Sequence, residues 1–257
     1  MNNTLLKGLK LLELLVARDR GAGVSELAEA LGIARSNAHR ILQALVETGY
    51  VVNEDGRGRY RASLRVWELG ARVLQRQDVR EPASSAMHWL LAKSNETVHL
   101  SVLSGSDVVY IDKLDSPEPV RAYTEIGGRA PAYCVATGKV LLAWQEPQAA
   151  PQLATRKLPR FTPSTVADSV ALARELERVR RQGYAVNRGE WRASVWGIAA
   201  PLRDGAGKVV AAIGISGPAT RIRDSGLKAL SQLVVEAAES ASQALARSRG
   251  ARPSANG

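Results

Sequence analysis

Six residues between positions 35 and 43, Arg35, Ser36, Asn37, His39, Arg40 and Gln43, bring together the donors and acceptors that read base edges. Arginine bonds guanine bidentately, asparagine or glutamine pairs with adenine, and serine reaches either bases or phosphates. A second basic group follows in Arg57, Arg59 and Arg61, which alternate with Gly58 and Tyr60. A strand with that alternation turns three guanidinium groups to one side, toward phosphates or the minor groove.

The elements that must position these groups are legible around them. Val24, Leu27, Ala28 and Leu31 fall at i, i+3, i+4 and i+7, one buried helical stripe, and Gly32 breaks it. After the short turn Gly32-Ile33, a second helix is expected near Ala34, with Ala38, Ile41, Leu42 and Leu45 inward and the polar set outward. Gly49 closes it, and Tyr50 to Arg61 reads as a hairpin around the polar loop Asn53 to Gly58. Leu5, Leu6, Leu9, Leu12 and Leu15 predict a further helix over Thr4 to Ala17, packed behind the pair. Alone, the polar face of the second helix reads first as a merely solvated surface. Followed by a basic hairpin, it reads as a winged helix-turn-helix aimed at duplex DNA.

With 257 residues and a winged helix needing only about 65 to 75, a second domain is expected. The division expected is residues 1–66 for the DNA-binding domain, 67–81 for a linker helix, 82–248 for an effector domain and 249–257 for a flexible tail. The formal charge of +10 suits a polyanionic partner. No run approaches the roughly 20 apolar residues that span a bilayer and the N-terminus does not resemble a signal peptide, so a cytoplasmic protein without membrane partners is expected. One cysteine, Cys134, and three histidines are too few, at no recognised spacing, for a zinc site, and no cofactor is expected.

Leu64, Trp67, Leu69, Val73 and Leu74 suggest a helix from Ser63 to about Gln77, ended by Asp78 to Pro82; Trp67 is either a contact with a second copy or intrachain core. Beyond it, a helix over Ala83–Ala92 precedes strands over Thr97–Leu103 and Asp107–Asp112, joined by the glycine turn Ser104-Gly105-Ser106. The pattern continues with a strand at Val120–Tyr123, a loop over Gly127–Pro131, a helix from Ala136 to Trp144 and a mostly helical insert. It closes with a helix ending at Gly183, strands at Tyr184–Val186, Val195–Ala200 and Val209–Ile215, and a helix over Leu227–Ala246. Strand pairs beside segregated helices indicate an α+β fold with an antiparallel sheet, not a parallel Rossmann sheet.

Separated blocks of the chain resemble IclR-type transcriptional regulators from Leu5 to about Ala246. They are Glu26-Leu27-Ala28 through Leu31-Gly32-Ile33-Ala34-Arg35-Ser36 to His39-Arg40-Ile41-Leu42, then Glu96-Thr97-Val98-His99-Leu100, Gly127-Gly128-Arg129-Ala130-Pro131, Thr137-Gly138-Lys139, Leu158-Pro159-Arg160-Phe161-Thr162, Gly183-Tyr184-Ala185-Val186 and Gly214-Ile215-Ser216-Gly217-Pro218. The resemblance implies a GAF-like effector domain, dimers or dimers of dimers, a near-palindromic operator and a small organic acid that changes operator affinity. It also implies where the pocket lies. Ala136 and Thr137 stand at the loop before the Gly-Lys helix, where backbone N–H groups at a helix start would hold a carboxylate. Asn187 occupies a polar, often acidic, position, Gly197 a cysteine position, and Gly214 and Ser216 two serine positions. With those polar groups reduced and Trp191 and Trp196 adjacent in sequence, a larger, drier site for an aromatic or bulky carboxylate is expected, unless the tryptophans are ordinary core.

Enzyme readings find less support. A Walker loop fails at Tyr133 and Val140, and Gly214-Ile215-Ser216-Gly217 is one residue short of a nucleophile elbow. Cys134 reads as a small buried hydrophobe and His99 as a core histidine, while His39 is the histidine placed to touch DNA. The alternative is a small-molecule-binding or hydrolytic protein whose winged helix makes protein contacts, and the basic wing argues against it.

Overall fold

The computed structural model describes residues 3–54, 58–75, 79–145 and 158–250. The chain divides into two compact units, residues 1–77 and 78–257.

Unit 1 is built from α1 (Asn3–Val16), β1 (Ala22–Gly23), α2 (Val24–Leu31), α3 (Arg35–Glu47), β2 (Val51–Glu54), β3 (Arg59–Ala62) and α4 (Leu64–Gln75). Gly32 ends α2 in the left-handed conformation, φ 63°, which a residue without Cβ enters at no steric cost. The Ile33 N–H then donates to Ala28 O, closing the turn onto the next helix. Leu11, Leu15, Leu27, Ile41, Leu42, Val51 and Tyr60 form the core. The leucine stripe expected in α1 is corrected in part: Leu15 is buried and Leu12 packs against the core, whereas Leu5, Leu6 and Leu9 are exposed, and Leu11, outside the expected stripe, is fully buried. The sheet order is β1-β3-β2, with Ala22 opposite Tyr60 and Asn53 opposite Tyr60 on the other side. The two-residue β1 is too short to show a period in sequence. Among the expected wing residues, Arg57 lies outside the described residues.

Unit 2 begins with α5 (Arg80–Ser94), continues through β4 (Thr97–Ser104), β5 (Asp107–Leu114), β6 (Arg129–Pro131), a 3-10 turn at Ala132–Cys134, α6 (Ala136–Ala143), α7 (Ser169–Gln182), β7 (Ala185–Arg188), β8 (Val195–Arg203), β9 (Val209–Pro218) and α8 (Ala219–Asp224), and ends with α9 (Leu227–Gly250). Arg80-Glu81-Pro82, read from sequence as a helix end, is instead the first turn of α5, where proline lacks only an N–H that has no helical partner anyway. All pairings in the six-stranded sheet, β6-β5-β4-β9-β8-β7, are antiparallel. The strand expected at Val120–Tyr123 is irregular chain. Its carbonyls are engaged by side chains, Ala122 O by Thr97 Oγ1 at 3.3 Å and Val120 O by Arg221 Nη1 at 2.9 Å, and the ladder is taken up by Arg129–Pro131. Pro131 is tolerated there because β6 is an edge strand. The insert expected after Trp144 falls largely on residues 146–157, outside the described residues, as do tail residues 251–257.

Sheet alternation divides the apolar side chains between two layers. Tyr110, Ala199 and Ala212 join Val140, Leu142, Leu172 and Val179 under α6 and α7. Val98, Leu100, Ile198, Ile213 and Ile215 have the opposite parity, and α5 and α9 pack on β4, β5, β8 and β9. β4 is therefore covered on both faces and buried continuously from Thr97 to Ser101.

Candidate functional site

On α3 the inward stripe is Ala38, Ile41 and Leu42, which leaves Arg35, Ser36, His39, Arg40 and Gln43 exposed and Asn37 half-buried. This follows from placing the apolar residues three and four apart. Neighbours on the polar face touch lightly: Arg40 Nη2 donates to Asn37 Oδ1 at 3.4 Å, and Gln43 Nε2 lies 3.4 Å from His39 Nε2. Both contacts are exposed and readily exchanged for base edges. Across the hairpin, Tyr60 turns into the core while Arg59 and Arg61 turn out. Arg59 is already held, its guanidinium donating to Gly21 O and lying 3.8 Å from Glu26 Oε1. Arg61 pairs with Glu54 at 3.1 Å, an exposed ion pair of the kind worth at most about 1 kcal/mol.

A second site lies inside unit 2. A cavity of ≈ 50 Å³ is bounded by β4, β5, β8, β9, the chain around Ala122–Thr124 and the start of α6. Ala136, Thr137, Asn187, Gly197 and Ser216 line it, and so do His99, Tyr110, Thr124, Trp191 and Arg192. Two residues expected in it are elsewhere. Trp196 is one step out of phase with Val195 and Gly197 along β8, and Gly214, although opposite His99 on β9, is not among the lining residues. The expectation of a larger space is likewise corrected by its volume. At Gly197, the room that a side chain would use is closed by Ile215 O, 2.9 Å from where a Cβ would sit, with Ala136 Cβ at 3.9 Å. The lining is rich in hydroxyls, and His99 Nδ1, Thr124 Oγ1, Thr137 Oγ1 and Ser216 Oγ are buried without a hydrogen-bond partner in the protein.

His99, Thr124 and Arg192 were missed as lining residues because nonlocal strand pairing and an irregular loop bring them here, and neither leaves a period in sequence. Burial holds His99 as neutral imidazole, its pKa lowered to about 4, and raises Tyr110 to about 12 against the opposing charge of Arg192. The Arg192 guanidinium stands 4.8 Å from the Trp191 ring, a cation on an aromatic face at the cavity mouth.

The walls are braced from behind. Lys139, 1% exposed, donates to Glu190 Oε1 at 2.5 Å, to Val186 O at 3.1 Å and to Glu175 Oε1 at 3.3 Å. Burial raises the Glu190 carboxyl although Lys139 opposes it. Glu190 N in turn donates to Asn187 Oδ1 at 2.8 Å, and Thr165 Oγ1 to Glu190 O at 2.6 Å. The 188–192 turn is thereby tied to α6. Cys134 is fully buried and its thiol is pushed up to about 12 by burial, so it is a packing residue. His99 and Ser216 share the cavity but are not hydrogen-bonded to each other, so no nucleophile–base pair is formed. Among the described residues, no cluster of metal-ligating side chains occurs and no helix is long and apolar enough to cross a membrane.

A helix-turn-helix with a wing, in one chain with a sheet domain that holds a hydroxyl-lined cavity, defines a transcriptional regulator with an effector-binding domain. Comparison with known proteins agrees. The IclR helix-turn-helix domain matches residues 4–55, and the bacterial transcriptional regulator IclR C-terminal domain matches residues 71–243. The HTH-type transcriptional regulator KdgR of Escherichia coli (strain K12) is 35% identical over 227 residues, 88% of this chain and 86% of that protein. The repressor AllR of Salmonella typhi is 32% identical over 240 residues, 93% of this chain and 88% of that protein. The crystal structure of Thermotoga maritima IclR matches with a TM-score of 0.77 at 31% identity, covering 96% of this chain and 100% of that one. An IclR homologue from Microbacterium hydrocarbonoxydans, complexed with 4-hydroxybenzoate, matches with a TM-score of 0.80 at 27% identity, covering 95% and 99%. The chain belongs to the IclR family of bacterial transcriptional regulators, and it is a regulator, not an enzyme.

Proposed function

We propose that two or four copies of this chain act together in the cytoplasm, reading a near-palindromic operator through Arg35, Ser36, Asn37, His39, Arg40 and Gln43, with wing arginines Arg57, Arg59 and Arg61 on the phosphates. The observation that carries this reading is the undivided polar face of α3, exposed beside a buried stripe on the same helix. Self-association is supported by α4, where Leu64 and Trp67 are 77% and 69% exposed, and by the exposed leucines of α1. Trp67 is thus not intrachain core. A small organic carboxylate in the unit 2 cavity, seated at the start of α6, sets operator affinity by binding the DNA-competent and incompetent arrangements unequally. The relative carrying 4-hydroxybenzoate supports an organic acid as the class of effector. Footprinting of the DNA flanking the gene tests the reading: two protected half-sites spaced by about one helical turn, or a multiple of it, are expected. Protection of a single site without two-fold symmetry contradicts it.

A further inference from the structure

Four of the six buried side-chain atoms that lack a protein partner, among the described residues, belong to residues that line one cavity of ≈ 50 Å³. They are His99 Nδ1 from β4, Thr124 Oγ1 from the chain between β5 and β6, Thr137 Oγ1 from the first turn of α6 and Ser216 Oγ from β9. Each residue is at most 9% exposed. A buried polar group left unpaired is costly, so four around one small space call for an occupant that bonds them. Serine and threonine hydroxyls both donate and accept, and a neutral imidazole nitrogen does one or the other according to tautomer. A hydroxyl group suits all of them, since it too does both.

Charge fixes the other end of the occupant. The cavity wall holds no carboxylate, and its one charged lining residue is Arg192 at the mouth. The start of α6 is not capped by a side chain, which leaves its first N–H groups for an anion. Size restricts the rest: the space is about four times the roughly 10–15 Å³ that a single water needs, so the occupant is small.

We propose that the effector is a short aliphatic hydroxy acid of about two to four carbons, its carboxylate at the Ala136–Thr137 end of α6 and its hydroxyls among Thr124, His99 and Ser216. This rests on the reading of the cavity as the effector site and names the ligand class it takes. An aromatic acid of similar length presents a ring edge to this wall and leaves most of the four groups unpaired.

Calorimetric titration of the full chain with matched acids tests the assignment: lactate and glycerate against propanoate, threonate against butanoate, and benzoate and 4-hydroxybenzoate besides. At least one hydroxy acid is expected to bind tenfold or more tighter than its deoxy counterpart. Thr124→Val and Ser216→Ala, with unchanged thermal melting of the free protein, are each expected to shrink that ratio several-fold while leaving deoxy-acid binding in place. Equal binding of the deoxy acids, tighter binding of the benzoates, or no binding by any hydroxy acid overturns the proposal. Promoter retention with the same panel separates the two levels. Benzoates that alter DNA binding while hydroxy acids do not bind leave the effector reading standing and remove this inference. A hydroxy acid that saturates the cavity without altering DNA binding does the reverse.

Discussion

Replacing Gly138 by alanine places a methyl group where the chain has none to spare. An added Cβ would fall on the carbonyl oxygen of Ala132 and come within 2.6 Å of its carbonyl carbon. Both are backbone atoms of a fully buried residue in the 3-10 turn leading into α6, so no flexible side-chain end can yield. Overpacking of this kind costs about 1–3 kcal/mol or more. Alanine recovers up to about 1 kcal/mol of helix propensity over glycine, and with only backbone atoms to yield the upper end of that cost applies, for an expected net loss of about 2 kcal/mol. The strain is relieved by moving α6 away from the turn, and that shifts Ala136 and Thr137, the proposed anion seat of the cavity. Gly138→Ala should therefore lower the urea midpoint of unit 2 and weaken effector binding together. Gly70→Ala in α4 is the control, because nothing lies within 4 Å of its added Cβ; it should leave stability unchanged or raise it by up to about 1 kcal/mol. Wild-type stability and wild-type effector affinity in Gly138→Ala would refute the claim that close approach of α6 to the turn builds the site.

Other outcomes follow from the same geometry. Arg40→Ala should cost about 1–3 kcal/mol of operator affinity and relax preference at one base pair, read by binding to a set of single-base operator variants; uniform loss over all variants contradicts a base contact. Trp67→Asp should lower the sedimentation mass toward that of fewer copies while far-UV circular dichroism is retained, and an unchanged mass removes α4 from the interface. His99 is neutral when buried, with a pKa near 4 against 6.5 for a free imidazole, so its contribution is fully present above pH 6.5 and is lost as pH falls toward 4. That difference amounts to about 3 kcal/mol. His99→Asn should flatten the decline of urea midpoints across this window, and parallel declines in mutant and wild type would show that His99 is not the group responsible.

The DNA-binding module was legible because its information is local. One glycine at Gly32, a stripe three and four apart in α3, and an alternation around Tyr60 each determine structure within a few residues. The family resemblance likewise located Ala136, Thr137, Asn187, Gly197 and Ser216, all of which line the cavity. Pairings between distant segments were not legible. β4 lies between β5 and β9, and its burial on both faces erases the alternation that would mark His99 as facing a cavity. Thr124 is placed by a loop whose carbonyls are held by Thr97 and Arg221, and Arg221 lies 101 residues from Val120. Trp196 was misassigned for the converse reason: proximity in sequence to Gly197 put it near the site, while the two-residue period of β8 turned it to the other layer. The expected extra room is absent at position 197, where Ile215 O of β9 lies 2.9 Å from where a Cβ would sit.

In the proposed function, occupancy of the unit 2 cavity and grip on DNA are one linked equilibrium. Its most direct test is the thermodynamic cycle, with operator affinity measured by fluorescence anisotropy with and without saturating effector, and effector affinity by calorimetry with and without operator. Linkage requires both ratios to be equal, and couplings of about 5- to 150-fold are typical. Equal ratios clearly different from one are expected. Ratios of one in both directions, at full occupancy of both sites, would contradict it.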